Sequence, residues 1–584
     1  MKFKALKYLG FFFSSMAMCL IVFDFGFSQK LDLLLAINTA YPILLGGIIV
    51  GVPIKYIVNF KNYQKVRIWL IEITLWLFYV GVMVVVPFGS LVSDSFSTWA
   101  NPKIILFFAF ALSFVREASE LKLNWRYQRT NPAIIFVLSF ALLILVGSLL
   151  LMLPKATHSD ISFTNALFTS TSAVCVTGLT VVDTGSYFTV FGQVIILILM
   201  QLGGLGIMTF TSFFAYFFLG GSSYQNLLLL GDFTNENKIS KVLSTLKKIL
   251  VFTLLAEGVG VVLIYLHVKD MTLPGDTNTI FFSLFHAVSA FCNAGFSTLS
   301  NSFFEIGFRF NYSLHFVIAL LFIVGGLGFP VIINLYAWCR YYIGNGLQRF
   351  YKRKGVFYRA NVLTLNSKLV LYTTFGLLLV GTLIFWALEY NNTLAQHRGF
   401  GKLLTAFFAA ATPRTAGFTT IDTAMMGVPA MMFVVFFMWI GASPASTGGG
   451  IKTSTFALAF LNAISLAKGK SKVELNKREI QDSSLRRSFA FVFLSLFFIG
   501  LVILLITVVE PDKKAHDLIF EVFSAFSTVG LSRGITGDLS IWGKYLIIST
   551  MFIGRIGALT FLTSLLKKIK QKNNEYPTEG VLIN

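Results

Sequence analysis

The chain has 584 residues, of which 56% are hydrophobic and only 12% are charged, and its formal net charge is +21. So small a polar fraction cannot cover the surface of a soluble protein, and it predicts an all-α integral membrane protein with many spans. The positive charge requires no nucleic acid, because anionic lipid or a cytosolic protein partner would balance it. We therefore expect membrane lipid, and no nucleic acid, as a partner.

Apolar runs of membrane-helix length recur along the chain. The first follows Lys2, Lys4 and Lys7 without a later small-residue cleavage site, so we interpret it as a membrane helix and not as a leader. The fourth has no basic residue in its interior, which excludes a voltage sensor and favours packing or assembly as the role of this extension. Twelve spans are predicted, at roughly 8–27, 31–59, 67–89, 102–116, 133–153, 187–218, 245–268, 312–340, 366–390, 428–465, 487–509 and 541–566.

Basic residues concentrate in loops that fall on one side of a twelve-span arrangement. The positive-inside rule makes that side cytoplasmic and predicts a multi-pass protein of the cytoplasmic (inner) membrane with both termini in the cytoplasm. These loops lie within 55–67, 116–129, 238–248, 340–368, 468–487 and 567–572.

Four shorter apolar segments lie between the later spans and resemble one another. Each is too short to cross a bilayer and ends in glycine followed by Leu or Phe, with a phenylalanine ten residues before the glycine. The segments read FTSTSAVCVTGLT (168–180), FHAVSAFCNAGFS (285–297), FFAAATPRTAGFT (407–419) and FEVFSAFSTVGLS (520–532). They predict four membrane–pore–membrane repeats around one central pore, behind about four extra N-terminal helices. The predicted boundaries are an extension over 1–130, repeats over 131–235, 236–360, 361–475 and 476–570, and a tail over 571–584.

These half-helices are typical of an ion pathway. Irregular backbone at membrane depth is tolerated where it lines water or is buried in protein, and rings of carbonyls can replace the hydration shell of a cation. Glycine allows the close approach and positive φ that such a ring needs, whereas mere close packing of helices would not place four half-helices in one register. The predicted selectivity filter consists of Val176, Thr177, Gly178, Asn293, Ala294, Gly295, Thr415, Ala416, Gly417, Thr528, Val529 and Gly530.

At these residues the sequence resembles the Trk/Ktr/HKT superfamily of potassium transporters, and most closely the bacterial Ktr/Trk membrane subunits. The resemblance covers about 133–566 and includes the stretch ASPASTGGGIKT (442–453). It implies potassium uptake through one filter glycine per repeat, a homodimer, and a cytosolic nucleotide-binding regulatory ring formed by a separate chain. It also implies potassium preference, because Gly178 stands where a plant branch of the family has a sodium-associated serine. Sodium as a coupling or activating ion stays open, and no cofactor is expected in this chain.

The third repeat departs from its siblings after the filter. Three repeats continue with LGGLGIM (202–208), VGGLGFP (324–330) and IGRIGAL (553–559), whereas the third reads IGASPAS (440–446) and then Thr-Gly-Gly-Gly. Proline and consecutive glycines weaken a helix, so we predict an unwound intramembrane loop that gates the pore, in place of a simple kink. The predicted gate residues are Gly441, Ser443, Pro444, Gly448, Gly449, Gly450 and Arg555.

Arg555 is costly at membrane depth, so we expect it to face the pore axis, repel cations and donate to carbonyls of this loop. The alternative is a buried ion pair with Glu257. For Glu257 itself, an ionisable group inside a span, a functional role and a helix-to-helix hydrogen bond that supports the second half-helix stay equally open. Lys452 is expected to extend to the cytoplasmic interface.

Two other function classes compete with a potassium channel-like subunit. An ion-coupled secondary transporter also uses broken helices, but it usually has two inverted repeats. A membrane enzyme would need clustered carboxylates or histidines, which the sequence lacks. Cys175 and Cys292 do not have the further ligands that a metal site would require, so potassium at the filter is the only metal expected.

Overall fold

The computed structural model describes residues 9–27, 30–58, 66–88, 102–119, 132–206, 239–273, 278–350, 362–470, 472–476, 478–558 and 561–562. Within them the chain is almost entirely helical, and the strands form one small hairpin, β1 (Glu474–Leu475) paired antiparallel with β2 (Arg478–Glu479). Five of the described helices are long and apolar enough to cross a membrane, and a bent pair would add a sixth. Together with shorter apolar helices, these make the chain a multi-pass membrane protein, while the count of twelve spans stays a prediction.

The N-terminal extension folds as four helices with a core of their own. They are α1 (Leu9–Gly26), α2 (Leu31–Val58), α3 (Val66–Phe88) and α4 (Pro102–Ser119). Arg116 of α4 lies inside this bundle and pairs with Glu72 at 2.5 Å and with Glu117. The extension meets the rest of the chain at the end of α1, where the ring of Phe25 stacks on Phe191 and Lys155 N donates to Gly26 O at 3.0 Å.

The first two repeats each carry a short helix between longer ones. In the first repeat these are α5 (Pro132–Leu151), the half-helix α6 (Phe163–Val174), the single turn α7 (Thr184–Tyr187) and α8 (Val190–Gly206). In the second they are α9 (Ile239–Val268), the half-helix α10 (Thr279–Phe291), α11 (Tyr312–Gly326) and α12 (Phe329–Phe350).

The last two repeats follow the same order. The third contains α13 (Leu365–Glu389), the half-helix α14 (Phe400–Ala411), α15 (Val428–Trp439) and α16 (Thr453–Ala467). The fourth contains α17 (Asp482–Val509), the half-helix α18 (Ala515–Ser527) and α19 (Ile541–Ile556). The half-helices have 12 or 13 residues, so at 1.5 Å per residue they are about 20 Å long and cannot cross the bilayer core.

Two of the runs predicted as single spans are interrupted. The run 312–340 is two helices bent by 104°. The bend falls at Gly328, whose φ of 84° a helix cannot contain. Pro330 lies in the first turn of the new helix, where its missing N–H needs no partner. The run 428–465 is broken between Trp439 and Thr453, at the proline- and glycine-rich stretch. The prediction of one continuous helix over 312–340 was wrong, because mean hydropathy does not register a local change of backbone direction. The break in the run 428–465 lies where the sequence predicts an unwound loop.

Parts of several predicted features lie outside the described residues. The second half of the run 187–218 does so, as do much of the basic loops and the tail 571–584. The run 541–566 forms a regular helix only as far as Ile556, because Gly557 has a φ of 89°.

Candidate functional site

The four half-helices end in the same backbone conformation. The residue two before each glycine has φ between 50° and 69°, the glycine itself has φ between 71° and 92°, and the residue between them is not left-handed. Alternation of this kind turns successive peptide groups to the same side of the chain. The left-handed residues that are not glycine are Val176, Asn293, Thr415 and Thr528. Each costs on the order of 1–3 kcal/mol, a strain that concentrates at functional sites.

The four glycines form a closed ring in chain order. A Cβ added to Gly295 would lie 2.9 Å from the carbonyl oxygen of Ala416, and one on Gly417 would lie 2.5 Å from that of Val529. The ring is completed by still closer approaches of Gly178 to Ala294 O and of Gly530 to Thr177 O. No side chain fits at any of these positions, so four stretches of backbone surround one axis.

Hydroxyl side chains of the half-helices hold the ring in place. Ser172 Oγ accepts from Gly178 N at 3.0 Å, and Ser524 Oγ accepts from Gly530 N at 3.1 Å. In the other two repeats the hydroxyl donates to the carbonyl after the glycine, from Ser289 to Phe296 O and from Thr412 to Phe418 O, both at 2.7 Å. Sequence reasoning missed these residues, although three of them stand six positions before a glycine of the predicted filter.

A second layer of glycines packs the ring from behind. Gly203, Gly325 and Gly554 lie so close to their own half-helices that an added Cβ would collide with the carbonyls of Val174, Phe291 and Phe526. The third repeat differs, because Gly441 lies against Gly449 instead. The aligned glycines therefore share one packing role in three repeats and lose it in the third.

The stretch between Trp439 and Thr453 is an ordered loop directly beside the ring. Ala442 N donates to Gly449 O at 3.3 Å, and Ser446 Oγ donates to Ser443 O at 2.6 Å. A Cβ on Gly448 would collide with Thr415 Oγ1, and one on Gly449 would collide with Thr528 Oγ1. Gly448 and Gly449 are thus required by contact with side chains of the predicted filter segments, whereas Gly450 is required by its φ of 67° and its contact with the backbone of Gly441.

The loop also contacts the second repeat. Ser443 N and Oγ both donate to Gly326 O, at 3.0 and 2.7 Å, and Pro444 O approaches Gly328. Thr447 Oγ1 donates to Asn293 Oδ1 at 2.9 Å. The loop therefore connects the filter of one repeat to the bend between α11 and α12.

Arg555 is buried and donates to two backbone carbonyls. Its Nη1 is 2.5 Å from Thr447 O in the loop, and its Nη2 is 2.7 Å from Gly203 O in the first repeat. The alternative ion pair is not formed, because Glu257 instead accepts from Gln201 Nε2 at 3.2 Å and lies 3.8 Å from Cys292 Sγ. Lys452 Nζ donates to Gly448 O at 2.7 Å, within the same stretch.

Three hydroxyls of the filter segments are buried without a hydrogen-bond partner. They belong to Thr177, Thr415 and Thr528. Buried polar atoms ordinarily have partners, and hydroxyl and carbonyl oxygens suit a hard monovalent cation. Among the described residues no group of His, Cys, Asp or Glu side chains is arranged to hold a metal.

Comparisons with known proteins agree on one family. The family described as "TrkH: Cation transport protein" matches residues 100–576. The chain is 39% identical to the Ktr system potassium uptake protein B of Vibrio alginolyticus, over 77% of this chain and 94% of that protein. It is 36% identical to the Potassium/sodium uptake protein NtpJ of Enterococcus hirae, over 78% and 98%.

A solved structure has the same fold. The crystal structure of the potassium transporter TrkH from Vibrio parahaemolyticus superposes with a TM-score of 0.60 at 18% identity, covering 85% of this chain and 97% of that one. The relatives are ion transporters and not enzymes, as the sequence predicted. The chain belongs to the TrkH cation transport family.

Proposed function

We propose that this chain takes up potassium across the cytoplasmic membrane through a channel-like pore whose selectivity filter is the ring of four glycines. The observation that carries the proposal is the closure of that ring, in which each glycine lies against a carbonyl of the next repeat. Carbonyls held in this way can substitute for the water around a cation. The relatives that are named for potassium uptake support the choice of ion.

The gate in this proposal is the loop between Trp439 and Thr453, defined here as the gating loop. It lies against Thr415 and Thr528, and Arg555 fixes it by donating to Thr447 O. The guanidinium has no carboxylate within salt-bridge distance among the described residues, so its charge adds an electrostatic barrier to cations beside the loop. Opening would require the loop to move away from the filter and release Arg555.

Control by other chains is part of the same proposal. A cytosolic nucleotide-binding ring, formed by a separate chain, would act on the gating loop through the cytoplasmic ends of the helices, and two copies of this chain would form a homodimer with two pores. Sodium would act as a coupling or activating ion, as the name of the Enterococcus relative suggests. Potassium uptake into proteoliposomes with choline replacing sodium tests this last point, and a slower rate without sodium is expected.

The main experiment is rescue of a bacterium that lacks its own potassium uptake systems. Growth at low external potassium should return with the wild-type chain and should fail with Gly178→Ser at equal expression. An ion-coupled transporter for another solute would leave such cells unable to grow at low potassium.

A further inference from the structure

Above the glycine ring lies an open cavity of about 540 Å³ that all four filter glycines line. Its wall also contains the residues two positions after each glycine. These are Thr180, Ser297, Thr419 and Ser532, so every repeat presents one hydroxyl to the outer mouth. The two serines belong to the second and fourth repeats, which are not neighbours in the ring and therefore face each other across the axis.

Ser297 is oriented by a buried histidine. Its Oγ accepts from Leu299 N at 3.0 Å and lies 3.0 Å from His286 Nε2. His286 is fully buried with no acidic side chain in salt-bridge contact among the described residues, and its Nδ1 is 2.9 Å from Phe282 O, which can only accept. Nδ1 therefore carries the proton of the neutral ring, and Nε2 accepts the hydroxyl proton of Ser297.

Ser532 has the equivalent arrangement in the opposite repeat. Its Oγ accepts from Gly534 N at 3.0 Å and lies 2.8 Å from Thr536 Oγ1, which bonds in turn to Glu521 Oε1. Thr536 has a single hydroxyl proton, so with that proton donated to Glu521, Thr536 accepts the proton of Ser532. In both repeats the hydroxyl proton of the serine points into the protein. One lone pair of its Oγ accepts a hydrogen bond from the backbone N–H of the residue two positions later. The second lone pair of each oxygen remains available on the cavity side.

Glu521 forms the inner end of this relay. It is fully buried, and its Oε2 has no hydrogen-bond partner. The nearby Arg533 pairs with Asp517 at 2.6 Å and not with Glu521. Glu521 therefore acts on Ser532 through the hydroxyl of Thr536 and not through an ion pair.

Glu521 and His286 both stand nine residues before their filter glycine. The same position holds Thr169 in the first repeat and Phe408 in the third. Thr169 Oγ1 bonds to Asn165 O of its own half-helix, and phenylalanine has no polar atom to offer. A polar side chain that orients the serine hydroxyl is thus present at this position only in the second and fourth repeats.

We propose that Ser297 and Ser532 are ligands of an outer site that takes a partly dehydrated monovalent alkali cation before it enters the glycine ring, and that His286 and Glu521 are positioning residues that turn the serine oxygens toward the cavity. This inference rests on the proposed function, because it assumes that the ring below conducts the same ion.

The test measures initial rates of potassium uptake in proteoliposomes as a function of external potassium. Ser297→Ala and Ser532→Ala should each raise KM about three- to tenfold with little change in the maximum rate, as expected for the loss of one oxygen ligand. Ser297→Thr and Ser532→Thr keep the hydroxyl and should restore the wild-type KM. The matched controls Thr180→Val and Thr419→Val remove hydroxyls that lack an inward partner and should change KM by less than about twofold.

The positioning residues are tested by non-additivity. His286→Phe places in the second repeat the residue that the third repeat has, and it should raise KM as much as Ser297→Ala, with no further rise when both are combined. Glu521→Leu should behave likewise toward Ser532→Ala, whereas Glu521→Gln retains an acceptor oxygen and should stay close to wild type.

A well-folded Ser297→Ala/Ser532→Ala protein with unchanged KM, or with only a lower maximum rate, would overturn the outer site. Gly178→Ser in the same assay separates this failure from failure of the proposed function. If Gly178→Ser alters potassium affinity and the serine variants do not, the filter stands without an outer site. If wild-type vesicles take up no potassium, the proposed function fails first.

Discussion

The four repeats are equivalent in the glycine ring and differ from one another in the layer beneath it. In the ring, all four repeats have the same left-handed pair of residues and the same close approach to the next repeat. Below it, three repeats pack a glycine against their own half-helix, whereas the third opens into the gating loop and the fourth contributes Arg555. In the proposed function, equivalent backbone is needed because one ion contacts all four repeats at once. The proposed control of ion flow needs only one movable segment and one group that holds it.

The largest effect is expected from disturbing the symmetrical layer. Gly178→Ser places a Cβ against Ala294 O, so the ring must widen. We predict that KM for potassium rises at least about tenfold, equivalent to ~1.4 kcal/mol, and that relative sodium uptake increases. Competition between rubidium and sodium uptake in vesicles measures both quantities.

Gly376→Ser is the matched control, because an added Cβ there has no neighbouring atom within 4 Å. That variant should retain wild-type selectivity. Unchanged affinity in all four Gly→Ser variants of the ring would remove the filter assignment.

Deleting residues 445–450 should have the next largest effect, on rate and not on selectivity. The deletion removes the segment that lies against Thr415 and Thr528 together with the acceptor of Arg555. We expect the maximum uptake rate to rise about five- to tenfold, as for a barrier lowered by ~1 kcal/mol, and regulation by a cytosolic partner to weaken. Stopped-flow flux into vesicles, with the partner added or omitted, measures this, and a wild-type flux after deletion would contradict a gating role.

Arg555→Ala should increase the maximum rate by a smaller factor, about three- to fivefold, because the loop remains while one of its fixing bonds and the local positive charge are lost. Flux per well-folded protein is the measurement, with exposed Arg487→Ala as the control. Combining Arg555→Ala with the loop deletion should add nothing, since both act on the same barrier. A rate no faster than wild type in a well-expressed variant would make Arg555 a structural residue.

The smallest effect is expected at the hydroxyl side chains that hydrogen-bond to the glycine ring. Ser172→Ala removes the acceptor for Gly178 N. Loss of this hydrogen bond should destabilise the backbone conformation at Gly178 by about 1 kcal/mol, which predicts a two- to fivefold rise in KM for potassium. Thr169→Val is the control, because its hydroxyl bonds only within the half-helix. Equal KM values for the two variants would show that the hydroxyl does not set the geometry of the filter.

Features that depend on local sequence could be predicted, and those that depend on proximity could not. Glycine spacing and helix-breaking residues indicate the half-helices, the four filter segments and the weak stretch at 440–450, because each effect acts within a few residues. The bend at Gly328 was missed, since the apolar run continues through it. The partners of Arg555 and of Glu257 lie on other repeats, and no pattern in one sequence distinguishes a carbonyl acceptor from a carboxylate.

The same limit applies around the filter. Ser172 and Ser524 share a register that a closer comparison of the repeats could reveal, whereas Thr412 is displaced by one position and becomes visible only as a contact. His286 and Glu521 share a position but not a residue type, so their common role requires the geometry of Ser297 and Ser532.

The most direct test of the central claim is the location of the ion. Anomalous diffraction from crystals of the protein soaked in rubidium or thallium would locate bound cations within the pore. The account predicts a cation on the axis of the glycine ring, coordinated by carbonyls from all four repeats, among them Thr177, Ala294, Ala416 and Val529. Strong cation density elsewhere in a transport-competent protein, with none inside the ring, would contradict it.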